Sequence, residues 1–166
     1  MSPGPLEEFG VSSPKVGEPA PDFTLRDQYG VEHTLSAAVQ DSPALLVFYP
    51  FAFSGICTGE LLDIQLNIDR FANERVQVFG ISCDASPALK TWAAVEGYRF
   101  PLLSDFWPHG AVARAYGVFM ETSGMSVRGT FLVDAGMVVR WSLISGSGES
   151  RDIAVLDHAV QQFTSA

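Results

Sequence analysis

The chain has 166 residues, of which 47% are hydrophobic and 17% charged, a composition typical of one globular domain rather than of a disordered chain. A net charge of −9 argues against a nucleic-acid partner, because contacts with phosphate require a basic surface. Two cysteines are too few for a disulfide framework, and a domain of this length can fold without one. The composition therefore excludes a disulfide-stapled scaffold and favours a reducing compartment.

The N-terminal region differs from the rest of the chain. Residues 1–15 are rich in proline, glycine and serine and lack periodicity, which predicts a flexible tail followed by a single domain over residues 16–166. The first ten residues lack the basic start and apolar core of a signal peptide. The most apolar stretch, residues 43–57, is too short and too broken to span a bilayer. We therefore expect a cytoplasmic protein with no membrane partner.

The first predicted elements are a hairpin, a buried strand and a helix. Residues 23–25 and 31–35 flank the turn-forming segment 27–30, which predicts the hairpin. Residues 44–49 form a continuous apolar run, typical of a strand covered on both faces. From Ser54 the apolar positions recur every three or four residues, which predicts one helical stripe of Cys57, Leu61, Ile64, Ile68 and Phe71.

The next elements complete a strand–helix–strand unit. Residues 76–82 predict a second buried strand, and residues 86–96 predict a helix with Ser86 as its N-cap and Pro87 in its first turn. Parallel strands end at the same edge of a sheet, where ligands bind in such folds. We therefore expect Cys57 and Cys83, which follow the two strands, at this edge.

The remaining elements are shorter, apart from the last. Residues 102–103 predict a short strand and residues 111–116 a short helix. Residues 130–133 and 137–141 flank a turn and predict a second hairpin. The chain ends in a helix with one apolar face, formed by Ile153, Leu156, Val160 and Phe163. Alternating strands and helices predict an α/β fold with helices on both faces of the sheet.

Cys57 is the main candidate for chemistry. It follows Tyr49-Pro50-Phe51-Ala52-Phe53-Ser54-Gly55-Ile56, where an apolar strand stops at a proline and a helix begins. A cysteine in the first turn of a helix faces unpaired N–H groups and the positive end of the dipole, which favours the reactive thiolate. Ser54 is the expected N-cap of this helix. The alternative is a cysteine that merely packs beneath an amphipathic helix.

The spacing of Pro50, Ser54 and Cys57 matches the pattern Pro-x-x-x-Thr/Ser-x-x-Cys, and in this the chain resembles the peroxiredoxins. Arg128 to Asp134 resembles the strand that carries the active-site arginine of that family. Other matching segments are residues 17–23 and 102–105, and three more look most like the AhpE group of one-cysteine peroxiredoxins: residues 52–57, 105–110 and 115–119. The resemblance implies a thioredoxin-like fold, with a central mixed sheet, helices on both faces and an added N-terminal β-hairpin.

The resemblance also implies a thiol peroxidase. Cys57 would attack hydrogen peroxide, an organic hydroperoxide or peroxynitrite and become a sulfenic acid. The Ser54 hydroxyl and the Arg128 guanidinium would donate hydrogen bonds to the sulfur or the peroxide. Pro50 would shield the sulfur from water, and Glu60, one turn into the helix, would orient an arginine.

The role of the second cysteine decides how the sulfenic acid on Cys57 is reduced again to the thiol. Cys83 either resolves oxidised Cys57, within the chain or across a dimer, or is a small residue that closes a strand. In the second case an external thiol is required, either a low-molecular-weight thiol or a thioredoxin- or glutaredoxin-like protein. The cysteines and histidines share no metal-ligand spacing, so neither a metal nor another cofactor is expected. The resemblance favours a homodimer or a higher homo-oligomer.

Three other functions remain alternatives. A thiol–disulfide oxidoreductase needs a Cys-x-x-Cys pair, but Ser54 occupies the partner position. A cysteine hydrolase needs a histidine base near the sulfur, and His109 is the best of three candidates. A redox sensor would share the oxidation of Cys57 without turnover.

Overall fold

The structure is a computed structural model, described here over residues 12–73, 75–146 and 149–165. Most of the predicted tail, residues 1–11, lies outside the described residues. The elements in chain order are β1 (Thr24–Arg26), β2 (Glu32–Thr34), α1 (Leu35–Ala38), β3 (Ala44–Phe48), α2 (Gly55–Leu66), α3 (Ile68–Asn73), β4 (Gln77–Ser82), α4 (Ser86–Glu96), β5 (Leu102–Ser104), α5 (Ala111–Ala115), β6 (Phe119–Met120), β7 (Met125–Ser126), β8 (Arg128–Val133), β9 (Val139–Ser145) and α6 (Ile153–Thr164).

Seven strands form one mixed sheet in the order β2-β1-β5-β4-β3-β8-β9. The central strands β3, β4 and β5 are parallel, whereas β8 joins β3 and β1 joins β5 in antiparallel pairs. The hairpin of β1 and β2 forms one end of the sheet, and β6 and β7 form a separate ribbon. The predicted mixed sheet with an N-terminal hairpin is confirmed.

The sheet has a hydrophobic core on each face. Alternate β3 residues Leu45 and Val47 pack in one core, which is covered by α2, α3, α4 and α6. Leu46 and Phe48 pack in the other core, which includes the short helices α1 and α5. Every residue of β3 is buried, as its uninterrupted apolar run predicts. Helices therefore lie on both faces, with the longer ones on the Cys57 side.

The strand register places Arg128 near the start of α2. Because β8 runs antiparallel to β3, its first residue lies at the edge where β3, β4 and β5 end. Val47 pairs with Thr130, so Arg128 is two residues closer to this edge. Side chains alternate between faces, and Leu132 on the same strand packs in the core that contains Cys57. Arg128 therefore points to the face on which Cys57 lies.

Several local predictions were wrong. The N-cap of α4 is Ala85, in extended conformation (ψ 148°), so Ser86 is already helical, although Pro87 does lie in the first turn. The stripe from Cys57 to Phe71 is divided between α2 and α3. At this break Asn67 leaves helical geometry (φ −108°, ψ 11°) and its side chain donates to Asp63 O, which competes with the helix ladder. The short elements α1, β6 and β7 carry no periodicity and were missed.

Candidate active site

Cys57 lies in the first turn of α2, beneath the loop that follows β3. Pro50 is buried directly after the strand, and Ser54 is the N-cap in extended conformation (φ −69°, ψ 146°). The Ser54 Oγ accepts a hydrogen bond from the Cys57 N–H at 3.2 Å, which satisfies one donor of the helix end. The Cys57 side chain is fully buried, at 0% exposure. The sequence predicted this local arrangement, because a proline and a hydroxyl residue both mark the start of a helix.

Arg128 lies 71 positions after Cys57 in the sequence, and its side chain contacts the sulfur. Its Nη2 donates to Cys57 Sγ at 3.1 Å, and its Nε donates to Glu60 Oε1 at 2.7 Å. The guanidinium is almost completely buried, at 1% exposure. A positive charge in this position stabilises negative charge on the sulfur. Glu60 holds the planar guanidinium in the orientation that brings one donor to Cys57.

Glu60 also binds a second buried arginine. Its Oε2 accepts from the Arg151 backbone N–H at 2.6 Å and lies 3.5 Å from Arg151 Nη1. The Arg151 side chain in turn donates to Thr130 Oγ1 at 2.8 Å and to Gly129 O at 3.4 Å. Burial, with the neighbouring Arg128 charge, lowers the pKa of Arg151 to about 10, so this arginine stays charged at neutral pH.

Among the described residues, the site therefore brings together the largely buried guanidinium groups of Arg128 and Arg151 and the carboxylate of Glu60. The Arg128 guanidinium, which is bound to Glu60, also contacts the Cys57 sulfur, so a positive charge lies against the atom that reacts. Buried charges persist only when they are paired and hydrogen-bonded. This arrangement suits an anionic sulfur, and it presents donors to any oxygen that gains charge beside it.

Comparisons with known proteins agree with this geometry. The profile of the AhpC/TSA family matches residues 16–142. The chain belongs to the AhpC/TSA family of peroxiredoxins. It is 46% identical to the alkyl hydroperoxide reductase E of Mycobacterium tuberculosis over 149 residues, which cover 90% of this chain and 97% of the relative.

Solved peroxiredoxin structures share the fold. The peroxidoxin BcpB of Mycobacterium tuberculosis superimposes with a TM-score of 0.80 at 32% identity, covering 92% of this chain and 97% of that one. The Enterococcus faecalis AhpC has a TM-score of 0.82 at 26% identity, covering 92% and 95%. The sequence-based assignment to the peroxiredoxins and to a thioredoxin-like fold is confirmed.

Cys83 lies at the same edge of the peroxiredoxin sheet but on the opposite face. It follows β4 directly and packs with Phe79 and Ile81 in the core that does not contain Cys57. Burial, with the nearby carboxylates of Asp105 and Asp84, raises the pKa of Cys83 to about 12. Neither cysteine is in a disulfide. The Cys83 thiol is therefore protonated at neutral pH and is shielded from Cys57 by the sheet.

Two of the three histidines, His109 and His33, are engaged elsewhere. Both ring nitrogens of His109 lie at hydrogen-bond distance from backbone carbonyl oxygens, 3.1 Å from Phe106 O and 2.7 Å from Gly124 O. His33 pairs with Asp27 in the N-terminal hairpin at 2.8 Å. Neither nitrogen of His109 is left to act as a base for Cys57, which removes the main support for a cysteine hydrolase.

Within the described ranges, no three His, Cys, Asp or Glu side chains come together as a metal-ligand cluster. Among the helices of the same ranges, none combines the length and the apolar composition that a bilayer span needs.

Arg151 is the site residue that the sequence does not reveal. It follows a stretch of sequence rich in glycine and serine and directly precedes Asp152, the N-cap of α6. An arginine is normally exposed, and no local pattern indicates that its backbone and side chain both contact Glu60. Only Glu60 hints at a second arginine, because a buried carboxylate that binds one arginine still has an oxygen that can accept from a second donor.

Proposed function

We propose that this member of the AhpC/TSA family is a thiol-dependent peroxidase in which Cys57 is the catalytic nucleophile. The observation that carries the proposal is the buried contact of 3.1 Å between Arg128 Nη2 and Cys57 Sγ, at the N-terminus of α2. The substrate class is hydrogen peroxide, organic hydroperoxides or peroxynitrite. The name of the Mycobacterium tuberculosis relative, alkyl hydroperoxide reductase, supports the organic hydroperoxides.

The chemical step is a two-electron transfer from sulfur to peroxide. The Cys57 thiolate attacks one oxygen of the peroxide, a sulfur–oxygen bond forms, and the oxygen–oxygen bond breaks. The second oxygen leaves with the electron pair and takes up a proton to become water or an alcohol; with peroxynitrite as the substrate it leaves as part of nitrite. Sulfur is oxidised to a sulfenic acid while the peroxide is reduced.

Ionisation of the cysteine is only part of the catalysis. A free thiol is already several per cent ionised near neutral pH, so complete ionisation gains about ten- to twentyfold, or roughly 1.5 kcal/mol. Donors aimed at developing charge contribute about 10²–10³-fold each. We assign that part to the Arg128 guanidinium and the Ser54 hydroxyl, while Pro50 excludes water and Glu60 and Arg151 hold Arg128 in place.

Recycling of the sulfenic acid falls to an external thiol. Cys83 is protonated and lies across the sheet, which disfavours the alternative of a two-cysteine cycle with Cys83 as the resolving residue. The reductant belongs to the class of low-molecular-weight thiols or of thioredoxin- or glutaredoxin-like proteins. Because Cys57 is 0% exposed, a bulky thiol reaches the sulfur only after the loop before α2 moves.

Assembly into a homodimer or a higher homo-oligomer is also proposed. Large aromatic side chains are exposed near the active-site edge, with Phe51 at 47%, Phe53 at 56% and Trp107 at 81%. Such exposure is typical of a surface that is covered by a partner. The mass in solution, measured by light scattering, tests the assembly, and a monomer at all concentrations would contradict it.

The test of the function uses the wild type with the variants Cys57→Ser and Cys83→Ser. We expect Cys57→Ser to lose peroxide turnover and Cys83→Ser to keep it. Intact mass after one equivalent of peroxide, without reductant, should show one added oxygen on Cys57. Full turnover by Cys57→Ser would refute the proposal. A loss of two hydrogens or a covalent dimer would instead establish the two-cysteine cycle, and a single oxidation without turnover would indicate a sensor.

A further inference from the structure

We propose that Asp84 is a positioning residue that anchors the active-site loop, and this inference rests on the proposed peroxidase function. Asp84 lies two residues beyond the end of β4 and was not singled out by the sequence. Its Oδ2 accepts a hydrogen bond from the Ala52 backbone N–H at 2.8 Å. This contact joins the end of β4 to the loop between β3 and α2, in which Pro50 and Ser54 lie.

Asp84 is itself held by the sheet. The same Oδ2 accepts from Ser82 Oγ at 2.6 Å, and the backbone carbonyl of Asp84 accepts from Ser104 Oγ at 2.6 Å. Ser82 and Ser104 pair directly in the parallel strands β4 and β5. The acceptor for Ala52 is therefore fixed to two central strands of the core and does not move with the loop.

The loop needs an anchor because its backbone is strained. Phe53, between Ala52 and the N-cap Ser54, has a φ of +68°, in the left-handed region that a residue other than glycine rarely adopts. The residue is 56% exposed, and its ring contacts the buried Trp92 on one side only, with ring centroids 6.2 Å apart, so ring packing alone does not fix the backbone. Strain of this kind persists only where the surrounding structure fixes the backbone.

The strained residue connects directly to the reacting sulfur. Ser54 follows Phe53, and its Oγ accepts from the Cys57 N–H at 3.2 Å. Rotation of Phe53 out of the left-handed region would displace the Ser54 hydroxyl and the first turn of α2. The Ala52–Asp84 hydrogen bond thus sets the position of Ser54 and Cys57 relative to Arg128, which is held separately by Glu60.

The test compares Asp84→Ala, which removes the acceptor, with Asp84→Asn, whose amide oxygen can still accept from Ala52. The control is Asp41→Ala, which removes one exposed carboxylate at the opposite edge of the sheet. For each variant, the rate constant of Cys57 oxidation by hydrogen peroxide is compared with the rate constant of its alkylation by iodoacetamide. Alkylation needs the sulfur but not the alignment of a peroxide.

We expect Asp84→Ala to lower the peroxide rate constant by about tenfold or more without slowing alkylation, because misplacement of reacting groups is costly to an aligned reaction, whereas a released loop exposes the buried sulfur to the alkylating reagent. Asp84→Asn and Asp41→Ala should stay within about threefold of wild type for both reactions. A purely structural role would lower both rate constants together or leave both unchanged, and either result would overturn the proposal. If Asp84→Asn lowered the peroxide rate constant as much as Asp84→Ala, the charge of Asp84 and not its hydrogen bond to Ala52 would be responsible, and this result would also overturn the proposal.

Amide hydrogen exchange of the wild type provides a test that needs neither a variant nor peroxidase activity. The Ala52 amide should exchange at least about tenfold more slowly than a free peptide amide, as expected of a hydrogen-bonded donor. Exchange of Ala52 at the free-peptide rate would refute the anchor even if Asp84→Ala failed to fold. Conversely, a wild type without peroxidase activity would refute the proposed function and leave the anchor to be decided by exchange.

Discussion

The buried carboxylate of Glu60 offers the sharpest test of how the site is built. Glu60→Gln keeps the shape of the side chain but removes the only negative charge among the Glu60, Arg128 and Arg151 side chains. Its amide group would also turn a donor towards a guanidinium. Breaking a buried ion pair by removing one partner costs about 3–5 kcal/mol. For a chain of this size, we expect a fall in the melting temperature of roughly 6–20 °C.

The same substitution should slow the reaction of Cys57 with peroxide. The Glu60–Arg128 contact of 2.7 Å is a charge-assisted hydrogen bond. Such bonds contribute about 1.5–3 kcal/mol, which corresponds to a loss of about ten- to hundredfold in rate if Arg128 is no longer oriented. Urea unfolding gives the stability and stopped-flow oxidation gives the rate constant, both measured on the reduced protein.

Asp63→Asn is the matched control for Glu60→Gln. Asp63 is exposed on the same helix, so its substitution should change the free energy of unfolding by less than about 0.5 kcal/mol. If Glu60→Gln were as stable and as reactive as Asp63→Asn, Glu60 would not hold the two arginines, and the account of the site would be wrong.

Arg128, Cys83 and Asp105 each allow a further prediction. Arg128→Ala should slow oxidation of Cys57 by about 10²-fold or more but slow alkylation much less, since only peroxide reduction needs a donor at the leaving oxygen. If stopped-flow assays showed equal slowing of both reactions, Arg128 would act only on the ionisation of the sulfur and not on the leaving oxygen. At pH 8, iodoacetamide should label Cys57 and spare Cys83, because a pKa of about 12 leaves roughly one Cys83 thiol in 10⁴ ionised. Equal labelling of the two cysteines, measured by peptide mapping, would contradict this prediction. Burial raises the pKa of Asp105 from 3.8 to about 6, so the folded state binds this proton more tightly and the wild type should gain about 2 kcal/mol relative to Asp105→Asn as the pH falls from 7 to 4. Urea unfolding at both pH values measures the difference, and parallel pH profiles of the two proteins would refute it.

Local patterns in the sequence were sufficient for most of the elements. The apolar run at residues 44–49, the proline and serine before α2 and the apolar face of α6 each report on interactions between neighbours along the chain. The same local patterns failed where the residues next to an element in the sequence do not determine its boundaries. Ser86 is a good N-cap residue, but the helix already begins at Ser86 and its N-cap is Ala85, which no side-chain preference indicates.

Sequence alone determined that a cysteine stands at a helix N-terminus behind a proline and a hydroxyl residue, because these positions are only a few bonds apart and capping is a local interaction. Only the tertiary structure decided what surrounds the sulfur. The strand register brings Arg128 to Cys57 across 71 positions, Glu60 joins Arg151 to the same cluster across 91, and the sheet separates Cys83 from it. These contacts depend on strand pairing and on the alternation of side chains between faces, both of which are set by the packing of distant segments rather than by any one segment.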